Sequence, residues 1–368
     1  MVIDTGFKIC YNATGCIMKS VAFPSPSPSV TIRDVAREAG VSPGTVSRVL
    51  NNSPLISEAT RLRVLEVVEQ MGYTPNLIAR RLSTGKTLTI AVIAPFFTRP
   101  AFVERLNGVV STLAQSQYDV VLYNVQTPEQ RDTYFRDVPR RERADGVLIM
   151  SLPPNDESAR WLQDASLPIV LIDASHPALD NLSSVVTDDI AGGRAATEHL
   201  LALGHRAIGF IGDPQENAFN FVSSARRYQG YRAALESAGI PLTPAYYQED
   251  QHGRFEARRM THQLLKLPQR PTAVFAASDT QAMGALQAAA DWGLNVPKDL
   301  SVIGYDDIEV AEYLGLTTIR QLLFESGQRG VELLLERLEN PQLPPVHEVL
   351  PSELVIRRST AAPVSIFS

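Results

Sequence analysis

At 368 residues, 44% hydrophobic and 20% charged, the chain exceeds one ordinary domain and has the make-up of a soluble globular protein of two or three domains. Its longest apolar runs, Leu88 to Phe97 and Leu167 to Ile172, fall short of the roughly 20 residues that span a bilayer, which argues against a membrane protein. The net charge of -6 is uneven: residues 30–86 carry +3, residues 1–29 carry +1 and the remainder -10, so a small basic head suited to a polyanion precedes an acidic body.

The chain starts with a segment, residues 1–29, that reads as a disordered leader. Its first 17 residues lack periodicity, which makes Met18 a second candidate start. Both cysteines, Cys10 and Cys16, lie here, without the basic start and apolar run of a secretion signal. Neither secretion nor a disulfide framework is expected, and a reducing cytoplasm is the expected compartment. FPSPSPS (Phe23 to Ser29) cannot sustain a helix and reads as a spacer.

Folded structure is expected from residue 30. Thr31 is an N-cap for a helix over Ile32 to Ala39, stopped by Gly40. Ser42 caps a second helix with Pro43 in its first position. Two helices joined by about three residues with a glycine between them match a helix-turn-helix unit. In the second helix Val46, Val49 and Leu50 share one stripe, facing Val35, Ala36 and Ala39, while Gly44, Ser47, Arg48 and Asn51 point outward. A third helix, capped by Ser57 and ended by Gly72, is expected to place Leu62, Leu65 and Val68 on the same core. A three-helix bundle with a merely polar surface is the plain alternative. The outward set supports more: Arg48 suits a bidentate bond to guanine, and Thr31, Ser42 and Asn51 suit phosphates.

TIRDVAREAGVSPGTVSRVLNN, followed by ISEATRLRVLEVVEQMGYTPNLIARRLSTGKT, resembles the DNA-binding head of the lactose and galactose repressor family, ungapped over about 55 residues. The resemblance implies that Pro43, Gly44 and Arg48 read bases and that Thr31, Ser42, Ser47 and Asn51 position the helix. Pro43 and Gly44 lack side-chain donors, so base choice there rests on contact fit or DNA shape. PNLIARRL (Pro75 to Leu82) matches the family's hinge helix. By resemblance Leu82 wedges into the minor groove, with Ala79 close by and Arg80 or Arg81 near phosphates. The organisation expected is a helix-turn-helix domain at 30–74, a hinge and linker at 75–87 and an effector-binding and dimerisation body at 88–368.

From Thr89 onward, apolar runs alternate with helical patterns: TIAVIAPFF, YDVVLYNV, DGVLIMS, LPIVLID, SSVVTDD, RAIGFIG, TAVFAAS and LSVIGYDD. Such alternation predicts an α/β body of parallel sheets flanked by helices. The resemblance implies two periplasmic-binding-protein-like lobes joined by three crossovers, lobe one over about 88–187 and 319–345, lobe two over about 188–318 and 346–360. In open α/β sheets ligands gather at the carboxyl ends of strands, where Asp173, Ser278, Asp279 and Asp306 fall. Carboxylates there suit sugar hydroxyls, with Arg227 opposite and Phe97, Phe219 or Phe221 covering an apolar ring face. Arg227 lies in RRYQGYRAAL, similar to the family's effector-contacting R-x-x-G-aromatic segment. Ser278 stands where relatives often have Asn, and His252 where they have an aromatic residue. Helix capping is the alternative role for Asp173 and Asp306 and the favoured one for Asp279, and core packing is the alternative for Phe221 and Tyr231.

An enzyme is the first rival reading. GFIGDP lacks the G-x-G-x-x-G spacing, no Walker loop, H-E-x-x-H or G-x-S-x-G occurs, and the six histidines show no metal spacing, so no cofactor or metal is expected. A sugar-binding protein without a DNA role is the second, opposed by the basic head. The reading carried forward is a cytoplasmic transcription regulator, a repressor, binding double-stranded operator DNA as a homodimer. Its effector would be a small molecule, a sugar or glycoside, with a purine as the alternative. The tail RRSTAAPVSIFS holds no heptads, so no tetramerising coiled coil is expected.

Overall fold

The computed structural model describes residues 30–50, 53–73, 86–96 and 98–364. They form two compact units that divide between residues 84 and 85. The leader and the hinge helix expected from the sequence lie outside the described residues.

The first unit holds α1 (Ile32–Glu38), α2 (Pro43–Leu50) and α3 (Glu58–Gln70). Thr31 and Asp34 form a reciprocal capping box at α1, and Gly40, at φ 65°, supplies the left-handed exit that a side chain would strain. Ser42 Oγ accepts from Thr45 N at 3.1 Å and Ser57 caps α3. The core is Val35, Ala36, Ala39, Val46, Val49, Val64, Val67 and Tyr73, with Leu50, Val68 and Met71 partly buried.

The expected buried face of α3 needs correction: Leu62 is 60% exposed and Leu65 43% exposed, and Val64 and Val67 face the core instead. Both sets have helical spacing, so periodicity cannot choose between them. Packing against α1 and α2 does.

The second unit contains two six-stranded sheets. Lobe one begins with β1 (Thr89–Pro95), α4 (Pro100–Leu113), β2 (Asp119–Val125), α5 (Pro128–Asp137), β3 (Gly146–Met150), α6 (Asp156–Gln163), β4 (Ile169–Ile172) and β5 (Ser183–Thr187). Lobe two follows with α7 (Asp189–Ala202), β6 (Ile208–Gly212), α8 (Ser223–Ser237), β7 (Tyr247–Glu249), α9 (Arg254–Leu265), β8 (Ala273–Ala276), α10 (Asp279–Asp291), β9 (Ser301–Asp306), α11 (Glu309–Leu314) and β10 (Thr317–Gln321). The chain then returns to lobe one as α12 (Leu323–Glu339) and β11 (His347–Leu350), and closes in lobe two as β12 (Ser352–Val355).

The strand orders are β11-β5-β4-β3-β1-β2 and β12-β10-β9-β8-β6-β7, all parallel except the β10–β12 pair. The inner strands β1, β3, β4, β6 and β8 are almost wholly apolar and buried throughout because helices cover both faces, and Val331, Leu333 and Leu334 of α12 join Val109, Leu113 and Ile172 in lobe one. The expected lobe boundaries shift accordingly. Residues 319–321 belong to lobe two, since β10 pairs with β9 and β12, and β11 belongs to lobe one, paired parallel with Ser184 to Thr187. The chain crosses between lobes after β5, after β10 and between β11 and β12.

Candidate functional site

On the first unit, Ser42, Pro43, Gly44 and Arg48 are exposed along α2, and Ser47 is half-buried. A Cβ at Gly44 would meet only Ser42 Oγ at 3.7 Å, so this edge is sterically open. The Thr31 hydroxyl donates to Asp34 at 2.7 Å, which commits it to the capping box rather than leaving it free to donate to phosphate. Asn51, Ala79, Arg80 and Leu82 lie outside the described residues.

In the second unit the carboxyl ends of both sheets face one cleft of about 120 Å³. On this scale one water needs roughly 10–15 Å³, so the cleft admits a small molecule. Asp173, Phe221, Arg227, Ser278 and Asp306 all line it. Phe97 lies outside the described residues, and its neighbour Phe96 is described. The strand orders make Asp173, just after β4, and Asp306, the last residue of β9, topological equivalents: each stands at the carboxyl end of the fourth strand of its lobe. Phe96, Ser151, Asp173 and Asp306 all have positive φ (42°, 51°, 52° and 116°), so four strand ends carry backbone strain at one site.

Arg227 organises the lobe-two wall. Its Nε donates to Asp189 at 2.8 Å, its Nη1 donates to the Ala277 carbonyl at 2.6 Å and lies 3.4 Å from Asp306, and its guanidinium stacks on Tyr305 at 3.7 Å. Burial opposes its charge, but Asp189 and Asp306 outweigh burial and hold it firmly protonated. The approach of α7 that delivers Asp189 depends on Gly193, because a Cβ there would collide with the Arg227 backbone.

Gln321 Nε2 donates to Asp306 at 2.6 Å. Ser278, rather than Asp279, caps α10, accepting from Gln281 N at 3.1 Å. The capping role expected for Asp279 is therefore corrected. Its buried carboxylate accepts from Ile308 N at 3.0 Å and Thr318 Oγ1 at 2.6 Å, tying the segment after β9 to β10. Neither Asp173 nor Asp306 caps a helix: His176 caps the short turn that follows Asp173, and Ile308, the N-cap of α11, provides no side-chain cap.

Lobe one builds a matching wall. Arg105 is buried, and its Nη1 donates to Ser151 Oγ at 2.6 Å and lies 3.2 Å from Asp173, while its Nε donates to Ser326 at 3.0 Å. Ser151 Oγ donates to Asp173 at 2.9 Å. A strap from lobe two, residues 213–222, reaches across. Asn217 Oδ1 accepts from the backbone N–H groups of Phe219 (3.2 Å) and Phe221 (2.9 Å), fixing the strap's turn. Phe219 and Phe221 stack at 5.2 Å, lie edge-on to Phe96 and pack against the lobe-one core. Phe221 thus serves as both core contact and cleft wall. A second tie joins the lobes where Glu309 N donates to Glu104 at 2.9 Å.

Burial pushes Asp306 up to about 6, against the opposing pull of Arg227 and the Gln321 amide. A ligand hydroxyl donating to this carboxylate needs it ionised, so effector affinity should be full above that value and fall as the pH drops through about 6. Relative to the unfolded chain the raised group stabilises the ligand-free protein below its ordinary 3.8, and that contribution is lost as the pH rises through about 6. Calorimetric titration of the effector from acid to neutral pH measures the first effect. A flat profile would remove Asp306 from ligand contact.

Residues 31–76 match the family described as bacterial regulatory proteins, lacI family, and residues 197–360 match a periplasmic binding protein-like domain. Catabolite control protein A of Priestia megaterium is 31% identical over 334 residues, covering 90% of this chain and 99% of that protein. The chain belongs to the LacI family. The HTH-type transcriptional repressor PurR of Yersinia pestis (strain Pestoides F) is 34% identical over 338 residues, 90% of this chain and 97% of PurR. Among solved structures, the lac repressor dimer bound to operator and the anti-inducer ONPF superposes with a TM-score of 0.80 at 31% identity, covering 91% of this chain and 100% of that one. A complex of the transcriptional regulator CelR with cellobiose gives 0.66 at 32% identity, covering 90% and 99%. This LacI-family protein is a ligand-responsive DNA-binding transcription regulator, and its relatives are regulators rather than enzymes.

Sequence reasoning did not select Arg105, Ser151, Asp189 or Gln321 of the regulator. Asp189 ends SSVVTDD and Gln321 ends TTIRQ, so applying the strand-end rule to every strand would have found both. Arg105 carries no such signal: it sits in mid-helix, and only the fold places it behind Asp173.

Proposed function

We propose that the regulator is a repressor, acting in the cytoplasm, that binds a near-palindromic operator as a homodimer and takes a sugar in its cleft. The observation that carries the effector class is the pair Asp173 and Asp306, set at equivalent strand ends and each backed by a buried arginine. A carboxylate fixed from behind leaves lone pairs for the hydroxyls of a polyol, and Phe221 offers an apolar face to a ring. The relative solved with cellobiose supports this class. Ligand that binds the two states of lobe closure unequally would alter operator affinity.

A thermal-shift screen against mono- and disaccharides, sugar acids, sugar phosphates and purines, repeated with operator DNA, tests the effector reading. Stabilisation by a sugar of any kind, lost in Asp173→Asn and Asp306→Asn, is expected. Response to purines alone overturns it.

The homodimer rests on exposed apolar surface. Phe255 is 75% and Tyr313 76% exposed, beside Leu314 and a groove lined by Met283, Leu286 and Ala290. Val103 and Val110 of α4 and Phe324 of α12 are exposed on lobe one. Apolar surface of this kind marks an interface, and a second copy is the occupant that a two-fold operator requires.

On DNA, Arg48→Ala should weaken operator binding by about 1–3 kcal/mol per site and relax preference at one base position, if the guanidinium reads a base edge. Titration of the variant against operators with single base changes measures this. Uniform weakening across all sequences would reassign Arg48 to a phosphate.

A further inference from the structure

Five charged side chains in the cleft hold one another. Asp173 is held by Arg105, Asp189 and Asp306 by Arg227. Asp213 accepts from Gln281 Nε2 at 2.9 Å and lies 3.1 Å from His252 Nδ1. Two guanidinia on the same walls, Arg99 of lobe one and Arg226 of lobe two, make no hydrogen bond or ion pair from their side chains among the described residues. Arg99 is held over the Phe96 ring at 4.3 Å, which fixes it without consuming a donor. Burial lowers its affinity for its proton, with Asp213 opposing from nearby, so its charge is imperfectly compensated in the ligand-free cleft.

A second observation points the same way. Arg99 and Val222 are the N-cap residues of α4 and α8, and neither provides a side-chain cap. The first turns of these helices, Ala101 and Phe102 in one and Ser223 and Ser224 in the other, line the cleft. Each contributes backbone N–H donors and a positive field that favour an anion. Arg99 is itself the N-cap of α4, and Arg226 is the fourth residue of α8. A neutral sugar would satisfy the carboxylates and leave these donors underused. A sugar bearing an acidic group uses both sets.

We infer that the effector is an acidic sugar, a sugar phosphate or a sugar acid, whose anionic group is received by Arg99 and Arg226. This rests on the sugar reading of the same cleft and narrows it. The two guanidinia stand on different lobes, so the acidic group and the hydroxyls together engage both sides of the cleft.

The test uses the full-length protein and matched probes: glucose, gluconate, glucuronate and glucose 6-phosphate, with the corresponding galactose, ribose and disaccharide series, and inorganic phosphate alone. Affinities come from calorimetry at fixed ionic strength. In the best-bound series the acidic member should bind at least about 10-fold more tightly than its neutral parent, the worth of a charge-assisted hydrogen bond. Arg99→Gln and Arg226→Gln should each reduce that acidic-to-neutral ratio by about 10-fold. The ratio corrects for general damage to the cleft, and an unchanged melting temperature of the ligand-free variants checks folding. Inorganic phosphate should stabilise the native protein and lose this effect in the double variant.

A neutral sugar that binds as tightly as its acidic counterparts overturns the inference and leaves the sugar reading intact. So does an acidic preference that both variants retain. Absence of binding by every sugar overturns both.

Discussion

Arg227→Met should destabilise the effector-binding unit by about 3–5 kcal/mol at neutral pH, the range for removing one partner from a buried ion cluster, and should abolish effector binding. The side chain is 8% exposed and faces Asp189 (4% exposed) and Asp306 (8% exposed), so its loss takes from two buried carboxylates the guanidinium that pairs with both. It also leaves the Ala277 carbonyl without its donor. Methionine fills much of the volume, so a cavity would not dominate the result.

The pH dependence separates electrostatics from packing. Without Arg227 both carboxyls should titrate higher still, and the folded variant then takes up protons that the unfolded chain does not hold. Its deficit relative to the native protein should therefore shrink as the pH falls from neutral towards the ordinary carboxylate range. Urea unfolding across that window measures it. A loss below about 1 kcal/mol, or one independent of pH, would mean that the cluster does not carry the charges assigned to it. Arg227→Lys should rescue little, because one ammonium cannot reproduce a planar fork that reaches two carboxylates and a carbonyl while stacking on Tyr305.

The double change Phe255→Glu with Tyr313→Asp should yield a monomer whose operator affinity is about 10²–10⁴-fold lower, with effector binding retained. Two heads on one dimer bind a two-part operator with the second contact made at high effective concentration, and a monomer forfeits that gain. Charges placed on the apolar patch oppose each other across a two-fold interface, so disruption needs no change within the subunit. Sedimentation and operator titration together decide the matter. A variant that remains dimeric would move the interface elsewhere on the body, and a monomer with undiminished operator affinity would remove dimerisation from DNA binding.

The sequence was most informative where the controlling interactions are local. Thr31, Gly40, Ser42 and Ser57 mark helix ends because caps and left-handed exits are decided within a few residues, and each occupies the position its type implies. The eight apolar runs are all strands, since a strand covered on both faces is apolar throughout and short. Asp173 and Asp306 were visible as polar residues ending such strands.

Tertiary structure alone decided which of two equally spaced stripes of α3 is buried, because Leu62–Leu65 and Val64–Val67 differ only in what packs opposite. It also decided that β10 remains with lobe two and β11 returns to lobe one, a matter of pairing across more than 160 residues in the case of His347 and Ser184. The partners that give the cleft its chemistry belong to the same class. Arg105 meets Ser326 over a separation of 221 residues and Arg227 meets Asp306 over 79, distances at which sequence pattern carries no signal and only the folding of two sheets against their helices brings the charges together.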